Sequence, residues 1–200
     1  MKVSKEKAAE SRERILDTAA KLFRERGFDG IGVADLMKSA GLTHGGFYGH
    51  FASKDDLIAQ VSERVTSKSS ERWAKAAEES EDPLTEIASS YLSKRHRDDP
   101  GAGCLLAALG PDVARQSPKV RSGVTEGIRS AIDILSTMTA GASDAEKREA
   151  AIATYAGLIG AVVLSRSVDD PVLSEEILAA VLASITQMPP PKRDTPTDVG

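Results

Sequence analysis

A chain of 200 residues that is 40% hydrophobic can bury a real core, and with only 4% aromatics and abundant alanine and leucine it favours packed helices over a sheet. The formal net charge of -4 argues against a nucleic-acid binder only as an average, because residues 1–54 carry ten Lys or Arg against seven Asp or Glu while the remainder carries sixteen against twenty-three. One cysteine, Cys104, excludes an intrachain disulfide and a cysteine metal cluster, and neither a run of about 18 apolar residues nor a secretion signal is visible, so a cytoplasmic protein without a membrane span is expected.

In chain order, Ile15, Ala19, Leu22 and Phe23 form one stripe of an amphipathic first helix over Arg12 to Arg26. Gly27 ends it by taking the left-handed conformation, and Phe28 can fold back on the last turn. A second short helix runs from Val33 to about Ala40, with Leu36 and Met37 inward, and stops at Gly41. Thr43 is a suitable N-cap for a third helix over His44 to Phe51. Phe47 and Phe51, four apart, anchor that helix, while His44 and Tyr48 point elsewhere. Ser53 caps a long fourth helix with Asp56 in its first turn, Leu57, Ile58, Val61 and Val65 inward, and Trp73 near its far end.

The pairs Asp82-Pro83, Ser117-Pro118 and Asp170-Pro171 each place a cap residue before a proline suited to the first helical position, and each opens a helix. Leu84, Ile87, Tyr91 and Leu92 stripe the fifth helix, and Cys104 to Leu109 make a short sixth. Val120, Val124, Ile128, Ala131, Leu135 and Met138 stripe the seventh. Ser143 with Glu146 is a capping box for the eighth, which groups Ile152, Tyr155, Ala156, Ile159 and Val163. The ninth groups Leu173, Ile177, Val181, Leu182 and Ile185, and the proline-rich tail from Pro189 is expected to be disordered.

Residues 33–51 have helix-turn-helix anatomy, although an ordinary helical hairpin would give the same spacing. Gly45, Gly46 and Gly49 weigh further, since each glycine inside a helix costs on the order of 1 kcal/mol against alanine. Missing side chains let a backbone approach another surface closely; the plain alternative is that this stretch is a loop. Tyr48, His50 and Lys54 add phosphate donors.

The runs Arg14-Ile15-Leu16-Asp17-Thr18-Ala19-Ala20-Lys21-Leu22-Phe23, Gly27-Phe28, Val33-Ala34-Asp35-Leu36, Ala40 to Phe51 and Ser53-Lys54 together resemble the DNA-binding domain of the TetR family. The resemblance implies an all-α fold of about nine helices, with an N-terminal three-helix helix-turn-helix head (1–53), a ligand-binding and dimerisation body (54–188) and a tail (189–200). It implies a ligand-responsive repressor, not an enzyme, whose Thr43, His44, Gly45, Gly46, Tyr48, His50 and Lys54 occupy positions that touch DNA. The sequence departs from the family's usual pattern at Ile31-Gly32, where Thr or Ser commonly caps the second helix, and at Gly46 and Gly49, where larger residues are usual.

The eighth and ninth helices are apolar on more than one face, and the resemblance implies that they pair with their copies in a homodimer through Tyr155, Ile159, Gly160, Val163, Ile177, Val181 and Ile185. Such a dimer would meet a palindromic operator in major grooves about 34 Å apart. A wholly intramolecular core is the alternative. Candidate contacts for a small-molecule effector are Trp73, Tyr91, His96, Cys104, Leu105, Met138 and Tyr155, though aromatic and Met positions at this spacing also suit a plain core. Cys104 follows the flexible Pro100-Gly101-Ala102-Gly103 and is similar in setting to a cysteine of some TetR relatives that senses electrophiles or oxidants; a buried inert thiol is the alternative. The fourth helix, beginning at the DNA edge, is the natural lever between effector and head. An enzyme with Cys104 as nucleophile and His96, Asp98 or Asp99 as base is a rival reading, as is a purely protein-binding helical adaptor. No cofactor or metal is called for, because no metal-ligand pattern appears and His44, His50 and His96 are scattered.

Overall fold

The structure, a computed structural model, describes residues 5–187. Among these the fold is all-α: α1 Lys5–Arg26, α2 Val33–Ser39, α3 Lys54–Glu79, α4 Pro83–Tyr91, α5 Lys94–Asp98, α6 Leu105–Val113, α7 Pro118–Ser136, α8 Asp144–Ser167 and α9 Pro171–Thr186. Two 3-10 segments, His44–Gly49 and Pro100–Ala102, complete it. The expected disordered tail, 189–200, lies outside the described residues.

Among the described residues the chain divides into two compact units, 5–72 with 94–129, and 73–93 with 130–187. In the first, Ile15, Phe23, Phe28, Leu36, Met37, Phe47, Leu57, Val61, Leu105, Leu109 and Val120 belong to one buried cluster. Gly27 and Gly41 have φ of 81° and 71°, and no described non-glycine residue has a positive φ. The amide of Gly27 closes on the Phe23 carbonyl at 2.8 Å, and Phe28 folds back edge-on to Phe23 at 5.4 Å. After α2, Leu42 N–H donates to the Met37 carbonyl and Gly41 N–H to that of Lys38, the paired bonds of a Schellman ending. That tight ending and the 3-10 segment after it place α2 and His44–Gly49 as a helix-turn-helix.

Five expected caps form, the Val120 amide donating to Ser117 Oγ at 3.4 Å. The Asp56 amide donates to Ser53 Oγ at 3.0 Å, Thr85 to Asp82 at 3.2 Å, Glu146 to Ser143 at 3.3 Å, and both Val172 and Leu173 to Asp170. Other expectations need correction. The third predicted helix is a six-residue 3-10 segment, because three glycines in six residues weaken the preference for α geometry, and Thr43 stands extended at its start without a side-chain cap bond. Its carbonyl instead accepts from Gly46 N–H at 3.0 Å. The first helix extends back to Lys5, and α5 with the Pro100–Ala102 segment is additional to the expected helices.

In the second unit α9 packs on α8 and on α4. Ser174 Oγ on α9 donates to the Ser165 carbonyl on α8 at 2.7 Å. The buried side of α8 is Ala151, Thr154, Tyr155, Leu158, Ala161, Val162 and Ser165. Of the expected stripe Ile152, Tyr155, Ala156, Ile159 and Val163, Tyr155 is buried, Ile159 is half-buried, and Ile152, Ala156 and Val163 are exposed. Among the described helices α8 is long and apolar enough to cross a membrane by length and composition alone. Its packing on α9 gives it the role of a bundle helix.

Candidate functional site

The segment His44–Gly49 is pinned from beneath. Phe47 and Phe51 are almost wholly buried, their rings 5.7 Å apart, and the Arg12 guanidinium of α1 lies 5.2 Å over the Phe51 ring while donating to Gln60 of α3. With its apolar face so engaged, the segment turns Tyr48 outward: that ring is 68% exposed, edge-on to Phe47 at 5.2 Å and to His44 at 6.4 Å. Thr43, His44 and Gly45 are exposed too, while Gly46, His50 and Lys54 are half-buried. The candidate DNA-facing residues therefore lie along one short stretch with an aromatic ridge and bare backbone beside it. A Cβ at Gly45 or Gly49 would meet nothing within 4 Å, and one at Gly46 only ordinary contacts with Met37 and Thr43. Internal packing does not demand these glycines.

The exit of the segment is held by charge. Asp56 accepts from Ala52 N–H at 3.2 Å and from Lys119 Nζ at 2.7 Å, and these bonds, the Lys119 one foremost, hold its carboxyl below the usual range. Ser117 Oγ donates to Asp55 at 3.0 Å. On the flank of α3, Arg64 bridges Glu13 and Asp17 of α1 at 2.6 and 3.0 Å.

A second cluster surrounds Cys104. Asp99 caps the Pro100–Ala102 turn through Ala102 N–H at 3.1 Å. Gly101 lies so close to α1 that a Cβ would sit 2.7 Å from Glu25 Oε1 and 3.0 Å from Lys21 Cγ. The Gly103 carbonyl accepts from Arg24 Nη1 at 2.7 Å, and the half-buried Cys104 donates its backbone N–H to His96 Nε2 at 2.8 Å. Burial lowers the Arg24 pKa, with proximity to Cys104 the strongest opposing influence. This geometry weakens the enzyme reading: His96 Nε2 is occupied by a backbone amide, Asp98 pairs with Arg97 at 2.7 Å, and Asp99 is a cap.

The effector candidates fall into two groups. Trp73, Tyr91 and Tyr155 are buried together in the second unit, Trp73 edge-on to Tyr91 at 6.0 Å and to Tyr155 at 5.7 Å, and Met138 is buried in the same unit. His96, Cys104 and Leu105 belong to the first unit, with Leu105 in its core. Of the dimer candidates, Tyr155 and Ile185 are buried within their own chain. Ile159, Gly160, Ile177 and Val181 are half-buried, and Val163 is exposed alongside Ile152 and Leu164. A Cβ at Gly160 would meet nothing within 4 Å.

Sequence reasoning missed Arg12, Arg24 and Lys119, whose partners lie far away along the chain. It also missed Asp99-Pro100, which repeats the Asp-Pro punctuation seen at 82–83 and 170–171.

Residues 15–61 match the profile of a family described as bacterial regulatory proteins, tetR family. The HTH-type transcriptional repressor NemR of Escherichia coli (strain K12) is 29% identical over 131 residues, 64% of this chain and 66% of that relative, just under two thirds of its length. The crystal structure of E. coli NemR in its reduced form is similar with a TM-score of 0.77 and 26% identity, covering 90% of this chain and 96% of that one. A regulator of the TetR family from Agrobacterium tumefaciens shares the fold, with a TM-score of 0.75 at 20% identity, covering 89% of this chain and 98% of that one.

Proposed function

We infer, from the tetR-family match over residues 15–61 and the likeness to NemR, that this chain belongs to the TetR family and is a DNA-binding, ligand-responsive transcriptional repressor and not an enzyme. The observation that carries this reading is the segment His44–Gly49, anchored inward by Phe47 and Phe51 and presenting Tyr48, His44 and glycine backbone outward, within the part of the chain that matches the family. We propose Thr43, His44, Gly45, Gly46, Tyr48, His50 and Lys54 as the DNA-contacting residues, and residues 1–53 and 54–188 as head and body, acting in the cytoplasm. The operator is a palindrome, read by two heads of a homodimer that associates through α8 and α9. The exposed Ile152, Val163, Leu164, Val172 and Leu173 on those helices support that face, since large apolar groups left in water favour a partner.

The effector we propose is a small electrophile or oxidant acting at Cys104, whose occupation favours the DNA-released conformation. Two observations support this. One similar protein, E. coli NemR, was solved in a form distinguished as reduced. Cys104 is also one residue from Gly103, whose carbonyl is bonded to Arg24 of α1, so a change at the sulfur reaches the head's first helix directly. The test is gel retardation of the full-length chain on duplex DNA from beside its own gene at several salt concentrations. Sequence-selective binding whose affinity falls steeply with salt is expected, because phosphate contacts release counterions. Absence of selective binding at low salt would refute the assignment.

A further inference from the structure

The first turns of α3 and α7 are interlocked by their own capping groups. At α3, Ser53 Oγ accepts from Asp56 N–H, and Asp56 reaches back to Ala52 N–H, the residue just past the buried Phe51 that anchors the outward-facing segment. At α7, Ser117 Oγ accepts from Val120 N–H at 3.4 Å while donating to Asp55 Oδ2 at 3.0 Å. Lys119 Nζ lies 2.7 Å from the Asp56 oxygen opposite the one that caps Ala52. Two acidic groups in the first turn of α3 suit the positive end of that helix, but a lysine in the first turn of α7 sits where the helix dipole disfavours it. Lys119 therefore gains nothing from its own helix; its charge is matched by Asp56. The hydrogen bond from Lys119 also leads the causes that lower the Asp56 pKa.

Resting on the reading of His44–Gly49 as the DNA-facing segment, we propose that Ser117 and Lys119 are positioning residues, which through Asp55 and Asp56 fix how that segment is presented to operator DNA. Neither residue touches the duplex. Lys119 holds the carboxylate that caps Ala52, so the exit of the segment keeps its angle to α3; Ser117 holds Asp55 while starting α7, so the segment follows any movement of α7's first turn.

The test uses full-length protein and a duplex recovered from a randomised pool by the wild-type chain. Lys119→Met, Lys119→Arg and Ser117→Ala are compared by fluorescence anisotropy across a salt series, with far-UV circular dichroism as the check on folding. Lys119→Met and Ser117→Ala are each expected to weaken binding about fivefold or more at every salt concentration, within the range of energetic coupling between linked sites. The slope of log affinity on log salt should stay that of the wild type, and Lys119→Arg should restore most of the affinity. A slope reduced by about one unit in Lys119→Met would make Lys119 a phosphate contact and overturn the proposal, as would unaltered affinity in both variants. Failure to recover any duplex with the wild-type chain would instead strike the DNA-binding reading itself.

Discussion

An alanine at Gly45 or Gly49 has open space inside the protein and no positive φ to oppose it, so the folded chain should accept it. Gly45→Ala and Gly49→Ala are expected to leave thermal stability unchanged or raise it by about 0.4 to 1 kcal/mol, by narrowing the unfolded ensemble. Operator affinity should fall nonetheless, because a methyl group there would stand where the proposed interface brings the backbone close to DNA. Gly110→Ala, equally uncrowded but on α6, is the control and should bind as the wild type does. Wild-type affinity in both recognition-segment variants would remove the glycines from the interface. At Cys104 the corresponding measurement is release: alkylation with N-ethylmaleimide should dissociate the wild-type complex and leave Cys104→Ser bound. A Cys104→Ser protein that is released as readily would exclude the sensing role.

At the scale of elements, the cap of α3 makes a pH-dependent contribution. Asp56 titrates below its ordinary value of 3.8 in the folded chain, so its contribution is present above the unfolded pKa and disappears as pH falls through the lowered one. Asp56→Asn should therefore cost about 0.5 to 1 kcal/mol near neutrality, and the gap to the wild type should close as pH falls through the lowered folded-state pKa; urea titrations at neutral and at strongly acid pH measure both. The crossing of α3 and α7 depends on Gly127, where a Cβ would lie 2.5 Å from Thr66 Cβ. Gly127→Ala is expected to cost about 1 to 3 kcal/mol in the same assay. Ser53, Asp82, Ser143, Asp170, Gly27 and Gly41 were readable in sequence because a cap or a left-handed glycine is settled within one turn. Spacing locates the segment His44–Gly49 but does not separate 3-10 from α geometry, since the two helix types differ by one residue in hydrogen-bond reach and share nearly all their signals. Helix α5, Lys-Arg-His-Arg-Asp, has no apolar residue to set a period. The Arg24 bond to Gly103 and the Lys119 bond to Asp56 span 79 and 63 residues, and local spacing carries no information about such pairings. On α8, apolar residues on both sides gave two stripes, and only tertiary packing decides which is buried.

For the whole molecule, the outward stripe of α8 has a direct consequence for assembly. Val163→Glu places a charge on an exposed position, so circular dichroism should be unaltered. Sedimentation at micromolar concentration should show monomers, and operator affinity should drop roughly a hundredfold or more, as two linked heads become one. A persistent dimer would move the interface elsewhere. The single tryptophan is meanwhile wedged between two of the chain's three tyrosines, and the third, Tyr48, belongs to the first unit. Nature has thereby fitted the protein with two unlabelled optical channels: indole emission, sensitised by its aromatic flanks, follows whatever occupies or loosens the second unit, while Tyr48 fluorescence should dim when a duplex covers it. Changes within the second unit and operator departure could then be timed separately in one cuvette.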